Sequence, residues 1–146
     1  MKRAALYLAS LLLLGQLQAA ELNWLTDLNK AKNEARNANK AILIDFTGSD
    51  WCGYCKKLHK EVFVTDEFAD YAKKNLILVE IDFPRSKPLP EAQQKANDKL
   101  KAEFNIRGFP TLVVLDSTGK KLGEEVGYGG GGPKAVIKKI DELRSK

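Results

Sequence analysis

Two cysteines, Cys52 and Cys55, are the only ones in this chain of 146 residues, and they enclose Gly53 and Tyr54. Residues three apart lie close together on a helix, so such a pair can alternate between a dithiol and a disulfide. That disulfide would close a very short loop and remove little chain entropy from the unfolded state, which argues against a purely structural role. The spacing therefore predicts thiol–disulfide chemistry.

The surrounding residues suggest different roles for the two sulfurs. A turn at 47–50 precedes the pair and a helix-compatible stretch follows it, so Cys52 falls near a helix N-terminus. Unpaired backbone N–H groups and the positive end of the helix dipole stabilise a thiolate there. We expect Cys52 to be the nucleophile. Cys55, one turn further along, is the predicted resolving cysteine, which attacks a mixed disulfide and releases the partner.

A metal site is an alternative use of two cysteines. Structural zinc generally needs four ligands, and beyond the cysteine pair this chain offers one histidine, His59, and carboxylates. The sequence therefore favours redox chemistry, with no metal and no cofactor expected.

The periodicity of apolar residues predicts alternating helices and strands. Predicted helices cover residues 22–39, about 51–62, a stretch capped by Thr65 or Asp66, 91–104 and 133–144. Short apolar runs predict buried strands at 41–46, 76–83 and 111–115, followed by a hairpin strand at 122–127. Strands separated by helices imply parallel neighbours, and the hairpin adds an antiparallel edge. The predicted fold is α/β, with a central mixed sheet and helices on both faces.

Several motifs occur in an order that resembles the thioredoxin superfamily, over about residues 41–143. They are Asp45-Phe46, Trp51-Cys52-Gly53-x-Cys55-Lys56, Ile106-Arg107-Gly108-Phe109-Pro110-Thr111 and Gly127. The resemblance implies a thioredoxin fold and a cis peptide bond before Pro110. It also implies that Phe109 and Pro110 shape the groove in which a partner chain lies against the disulfide.

The resemblance further implies that Asp45 is a buried acid that assists proton transfer at Cys55. The turn at 47–51 is one residue longer than in ordinary thioredoxins, so a merely solvated or hydrogen-bonded strand acid is the alternative. Trp51 is expected beside the nucleophile, in contact with substrate or in plain packing. Gly53 and Tyr54, between the sulfurs, can alter redox poise, and Gly-Tyr resembles disulfide isomerases as much as Gly-Pro resembles reducing thioredoxins.

Three polar residues follow the cysteines on the predicted helix. Lys56 and Lys57 could favour the thiolate electrostatically, although solvated lysines are the simpler interpretation. His59, four residues after Cys55, could share its face, and an exposed helical histidine is the simpler interpretation here too.

The first twenty residues have the three parts of a secretory signal. Lys2 and Arg3 are basic, residues 4–14 are apolar, and Ala19 and Ala20 are small residues at the expected cleavage point. We predict a signal peptide at 1–20 and a thioredoxin-like domain at 21–146, placed in the periplasm or secreted. The alternative is an uncleaved amphipathic anchor.

Charge limits the choice of partners. Without Lys2 and Arg3 the formal charge falls from +5 to +3, too mild and too evenly spread to indicate nucleic acid binding. The combined features predict an exported thiol–disulfide oxidoreductase, with reduction as the favoured direction and isomerase or oxidase as the alternatives. A redox-silent peptide-binding module is a further alternative. The expected partners are exported proteins with cysteines or disulfides and a membrane electron donor, and the chain is expected to be a monomer.

Overall fold

A computed structural model describes residues 21–146, so the predicted signal peptide lies outside the described residues. The strands are β1 Trp24–Leu25, β2 Ala41–Thr47, β3 Leu76–Asp82, β4 Thr111–Leu115 and β5 Lys121–Val126. The helices are α1 Leu28–Ala38, α2 Gly53–Leu58, α3 Asp66–Asn75, α4 Glu91–Glu103 and α5 Gly132–Arg144. A π-helical stretch, His59–Phe63, continues α2 directly.

The five strands of the described chain form one mixed sheet in the order β1-β3-β2-β4-β5. β3 pairs in parallel with both β1 and β2, while β4 is antiparallel to β2 and β5 is antiparallel to β4. The α/β class, with parallel central strands and an antiparallel hairpin at one edge, is thus confirmed.

The prediction of one helix over residues 22–39 was wrong at its beginning. Trp24 and Leu25 instead form β1, in register with Leu78 and Val79 of β3. The carboxylate of Asp27 then accepts hydrogen bonds from the first backbone N–H groups of α1, which makes Asp27 the N-cap. The prediction extended too far because Leu22 and Leu25 continue the helical spacing of apolar residues before Asp27. In the structure, the backbone groups of β1 are instead satisfied by pairing with the edge of β3.

Each face of the sheet is covered by its own apolar cluster. On one face, Ile42, Ile44 and Phe46 of β2 pack with α1, Ile106 and residues of α4. On the other face, Leu43 packs with α2, the π-helical stretch, α3 and α5. Alternate residues of a strand point to opposite faces, so Asp45 is on the same face as Leu43 and faces α2. All seven residues of β2 are buried.

The π-helical stretch gives the helix that begins with α2 one additional inward-facing residue. The N–H of Val64 donates to the carbonyl of His59, five residues earlier, at 3.2 Å. As a result the consecutive residues Val62 and Phe63 are both buried. Leu58, the last residue of α2, is also buried, and the three side chains join the apolar cluster on this face.

Tyr128 ties this helix to the start of α5. Its hydroxyl donates to Oε2 of Glu61 at 2.8 Å and accepts from the N–H of Gly132 at 3.1 Å, and both hydrogen bonds are part-buried. Gly132 is the first residue of α5, and its backbone has φ of +66°, a conformation that favours glycine. The glycine-rich loop at 129–132 is therefore anchored to the π-helical stretch through one side chain.

Candidate active site

Cys52 and Cys55 are joined by a disulfide at the start of α2. Cys52 is the N-cap residue, and the backbone N–H of Cys55 donates to its sulfur at 3.2 Å. The two residues are only 7% and 4% exposed. In the reduced protein that N–H would stabilise a Cys52 thiolate, because a hydrogen bond to the charged form favours it. The deeper Cys55 is sheltered from solvent.

The turn before the pair places Trp51 beside it. The carbonyl of Gly48 accepts from the N–H groups of Trp51 at 3.2 Å and Cys52 at 2.8 Å. A Cβ atom on residue 48 would lie 2.5 Å from the indole ring of Trp51, which is far inside van der Waals contact. Glycine at position 48 therefore allows the ring to lie against the turn.

Trp51 belongs to an aromatic cluster with Phe83 and Phe109. The indole N–H donates to the carbonyl of Phe83 at 2.7 Å, and the Trp51 ring meets Phe109 edge to face with centroids 5.8 Å apart. Phe83 and Phe109 have centroids 5.3 Å apart. The Arg85 guanidinium lies 3.8 Å above the Trp51 ring, within the range of a cation–π contact.

The loop after β3 is fixed to the active-site turn by carboxylates. Asp50 accepts hydrogen bonds from the backbone N–H groups of Arg85 and Ser86, and these bonds lower the pKa of the Asp50 carboxyl. The carboxylate of Asp82 accepts from the backbone N–H and the hydroxyl of Ser49. The proline-containing connection from residue 84 onward thus begins next to Trp51.

The peptide bond between Phe109 and Pro110 is cis. Pro110 is buried, and its carbonyl accepts from the N–H of Gly127 at 2.8 Å. Thr111 follows at the start of β4 and is in register with Phe46 near the end of β2, so this bend lies at the same end of the sheet as the cysteine pair.

A cavity of about 240 Å³ lies between α2 and the sheet, and Asp45 and Cys55 both line it. Asp45 is 5% exposed, and its Oδ1 is a buried oxygen that lacks a hydrogen-bond partner among the described residues. Burial raises the pKa of Asp45 well above its ordinary value, and the carboxylates of Glu80 and Asp82 add to the effect. Asp45 and Cys55 thus line one cavity despite the longer turn, and a role of Asp45 in proton transfer at Cys55 stays a prediction.

The other residues predicted from the sequence to act near the pair are exposed to solvent. Tyr54 is 65% exposed, and a Cβ built on Gly53 meets nothing within 4 Å beyond its chain neighbours and its own helix backbone, so this side of the disulfide is open. Lys56, Lys57 and His59 are exposed, although Lys56 and His59 also line the cavity next to Asp45.

Sequence reasoning missed three residues of this region: Glu80, Phe83 and Arg85. Glu80 had a readable signal, because it continues the inward-facing alternation of Leu76 and Leu78 in a strand that should be buried. Phe83 and Arg85 had none, since they reach Trp51 only through the course of an irregular loop.

Two further findings concern residues 21–146. This part of the chain contains no group of three or more His, Cys, Asp or Glu side chains arranged to hold a metal ion. None of its helices has the length and hydrophobicity needed to cross a membrane.

A disulfide at a helix N-terminus, with a cis-proline bend at the same end of the sheet and a buried acid on the cavity that Cys55 lines, is the arrangement of a thiol–disulfide exchange site. The fold and the site together define a disulfide oxidoreductase of the thioredoxin fold. Such a protein exchanges its own dithiol or disulfide with the cysteines of a partner.

Comparison with known proteins agrees with this class. The family described as a thioredoxin-like domain matches residues 28–142. The disulfide bond reductase DsbH of Chlamydia pneumoniae is 38% identical over 122 residues, which cover 84% of this chain and 72% of DsbH. A solved structure of a DsbH oxidoreductase superposes with a TM-score of 0.78 at 35% identity, over 86% of each chain. The chain belongs to the thioredoxin-like family.

A structure with much lower sequence identity shares the same fold. The thioredoxin of Thermus thermophilus superposes with a TM-score of 0.62 at 16% identity, over 84% of this chain and 87% of that one. At that identity the likeness shows the shared thioredoxin fold alone.

Proposed function

We propose that this protein is an exported reductase of disulfides in other exported proteins, with Cys52 as nucleophile and Cys55 as resolving cysteine. The observation that supports it most directly is the buried pair whose outer sulfur accepts the N–H of Cys55 at 3.2 Å. The 38% identity to a protein named as a disulfide bond reductase favours the reducing direction. The pattern of residues 1–20 supports export, with residues 21–146 as the mature domain.

The reaction proceeds in two exchanges. The Cys52 thiolate attacks one sulfur of a partner disulfide, forming a mixed disulfide and releasing the partner's other sulfur as a thiolate. The Cys55 thiol then loses its proton, and its sulfur attacks Cys52, which breaks the bond to the partner. Two electrons pass to the partner, which leaves as a dithiol, and Cys52 and Cys55 end as a disulfide.

The residues around the pair suggest how a partner segment docks. Tyr54 offers an exposed aromatic ring next to the sulfurs, while Trp51 and Phe109 form an aromatic wall. In this proposal the segment lies along Gly53, Tyr54 and the cis-proline bend at Pro110, with Trp51 at its side. Asp45 takes the proton of Cys55 in the second exchange, because it lines the same cavity.

The oxidised protein must be reduced again after each cycle. A membrane electron donor is the proposed source, since the soluble reductants of the cytoplasm do not reach an exported protein. We propose that the chain acts as a monomer, with both cysteines and the docking surface just described supplied by the same chain.

The test is to trap the mixed disulfide. Cys55→Ser stops the reaction after the first exchange, so expression of the full chain with this change should accumulate covalent, reductant-sensitive adducts with exported proteins. Cys52→Ser is the matched control, because it removes the nucleophile and leaves one buried thiol. Equal adducts from both variants, or none from Cys55→Ser, would refute the assigned roles. Unchanged biological activity of Cys52→Ser would instead indicate a peptide-binding module.

One observation favours a second candidate, a disulfide isomerase or oxidase. Gly53 and Tyr54 between the cysteines resemble the isomerase sequence, and these residues influence redox poise. The reduction potential distinguishes the candidates, measured against glutathione or dithiothreitol buffers by thiol alkylation. A value of about −270 mV supports the reductase, whereas one between about −180 and −120 mV indicates an isomerase or oxidase.

A further inference from the structure

Glu80 and Asp45 form a side-by-side carboxyl pair beneath the resolving cysteine. They are register partners in the parallel strands β2 and β3, whose backbones run about 4.8 Å apart. Both side chains are on the face that packs against α2, and both line the cavity that Cys55 lines. Asp45 is almost fully buried, and its Oδ1 lacks a hydrogen-bond partner within residues 21–146, so its carboxyl has an oxygen directed at no described donor.

The acidic residues around this cavity lie on the strands, and the basic residues lie on the exposed helical side. Asp82 follows Glu80 on the same face of β3, and its carboxylate is occupied by Ser49. Lys56 and His59 line the cavity from the helical side, but both are exposed residues whose side chains reach solvent. The nearest ionisable neighbour of Asp45 across the strand pair is therefore another acid.

We propose that Glu80 is a positioning residue for Asp45, whose charge keeps a proton on the buried acid and so sets the pH at which Asp45 can accept the proton of Cys55. The physical basis is that two neighbouring carboxyls in a poorly solvated site cannot both ionise at low cost. Glu80 is half-buried and closer to solvent, so it ionises first and opposes ionisation of Asp45. Burial also raises the pKa of Glu80, with the Asp82 carboxylate adding to it.

The step on which Glu80 acts is the second exchange, so its role rests on the function proposed above. The S–H bond of Cys55 breaks and its proton goes to the Asp45 carboxylate. The Cys55 sulfur bonds to the Cys52 sulfur, and the partner sulfur leaves with the electron pair of the broken disulfide. The rate of this step at low pH follows the fraction of Asp45 that is ionised, and Glu80 lowers that fraction.

Carboxyl titration of the oxidised protein, followed by ¹³C NMR between pH 3 and 9, tests the coupling. In Glu80→Gln the midpoint of Asp45 should fall by about one pH unit, whereas in Asp45→Asn the midpoint of Glu80 should stay nearly unchanged, because Glu80 ionises while Asp45 still carries its proton. Glu80→Asp, which retains the charge, should keep the Asp45 midpoint raised. Glu103→Gln, a surface change of equal charge at the end of α4, is the matched control. An Asp45 midpoint unmoved in Glu80→Gln overturns the proposal.

A kinetic measurement then tests the role in exchange. Reduced protein is mixed with excess 5,5′-dithiobis(2-nitrobenzoate), and the second, concentration-independent release of thionitrobenzoate reports the attack of Cys55 on the mixed disulfide. The rate of this release should fall at low pH, and this acid limb of the pH–rate profile should move to lower pH by about one unit in Glu80→Gln. At a fixed pH on the limb, the variant should therefore release thionitrobenzoate about tenfold faster than wild type. The limb should stay in place in Glu103→Gln and disappear in Asp45→Asn.

The outcomes separate this inference from the proposed function. A shifted Asp45 midpoint with an unmoved kinetic limb overturns the role of Glu80 in exchange. A wild-type protein that shows the limb but fails to reduce any protein disulfide refutes the proposed function and leaves the role of Glu80 supported.

Discussion

Asp45→Asn changes one buried carboxyl into an amide of nearly the same shape, and its effect on folding stability should depend on pH. Burial raises the pKa of Asp45 above its ordinary value of 3.8, so the folded protein retains a proton that the unfolded chain releases. The stability that Asp45 contributes through this proton is therefore fully present below about pH 4, and it is lost as pH rises toward the raised pKa of the folded state. Asp45→Asn has no titrating carboxyl at this position, so the free energy of unfolding of the variant does not fall with pH in this way.

The magnitude follows from proton linkage. One proton bound by the folded state and not by the unfolded state changes the free energy of unfolding by about 1.4 kcal/mol per pH unit. Two pH units within that window therefore correspond to about 2.7 kcal/mol in favour of Asp45→Asn. The buried amide adds a separate term, from any N–H group left without an acceptor, but this term does not vary with pH.

The assay is urea unfolding of the oxidised protein by tryptophan fluorescence, at pH values from 4 to 9, with the free energies extrapolated to water. The disulfide removes the cysteines from the titration, and the difference between variant and wild type cancels the other groups. Glu103→Gln is the control and should show a nearly constant difference across the range. A constant difference for Asp45→Asn as well would mean that Asp45 titrates normally in the folded state, and the assignment of a buried protonated acid would fail.

Three other changes test the elements that position the site. Gly48→Ala should destabilise the protein by about 1–3 kcal/mol and shift the tryptophan emission, because the new methyl lies 2.5 Å from the Trp51 ring; unchanged emission and stability would contradict that contact. Asp50→Asn should weaken the bonds to the N–H groups of Arg85 and Ser86 and increase amide hydrogen exchange there, while exchange in α3 stays constant. Tyr128→Phe should lower stability by about 1–3 kcal/mol in urea unfolding, since a part-buried N–H and a carboxylate lose their partner, and a neutral result would mean that water replaces the hydroxyl.

Much of the architecture could be predicted from local patterns. Thr111–Leu115 was predicted with its observed bounds, and β2, β3, β5, α4 and α5 were placed within one residue or so at each end. β2, β3, β4 and α5 have strong apolar patterns bounded by turns or prolines, whereas α4 is recognised as a charged, helix-prone stretch and β5 by the hairpin turn before it. β1 was missed because a two-residue strand has no periodicity of its own and exists only through pairing with β3.

The candidate site also has features that the sequence predicts and features that depend on the tertiary structure. The chemistry of Cys52 and Cys55 follows from sequence alone, because three-residue spacing at a helix start is a local property of the chain. The N-cap position of Cys52 is likewise set by the turn that precedes it.

Only the tertiary structure decided what surrounds the pair. The strand register places Glu80 beside Asp45, and the packing of α2 on that face puts Cys55 on the same cavity. The course of the loop after β3 brings Arg85 onto Trp51, 34 positions earlier in the chain. Such neighbours depend on contacts between distant segments. Residue types and spacings therefore determine the thiol–disulfide chemistry, while packing determines the charge and solvent access around it.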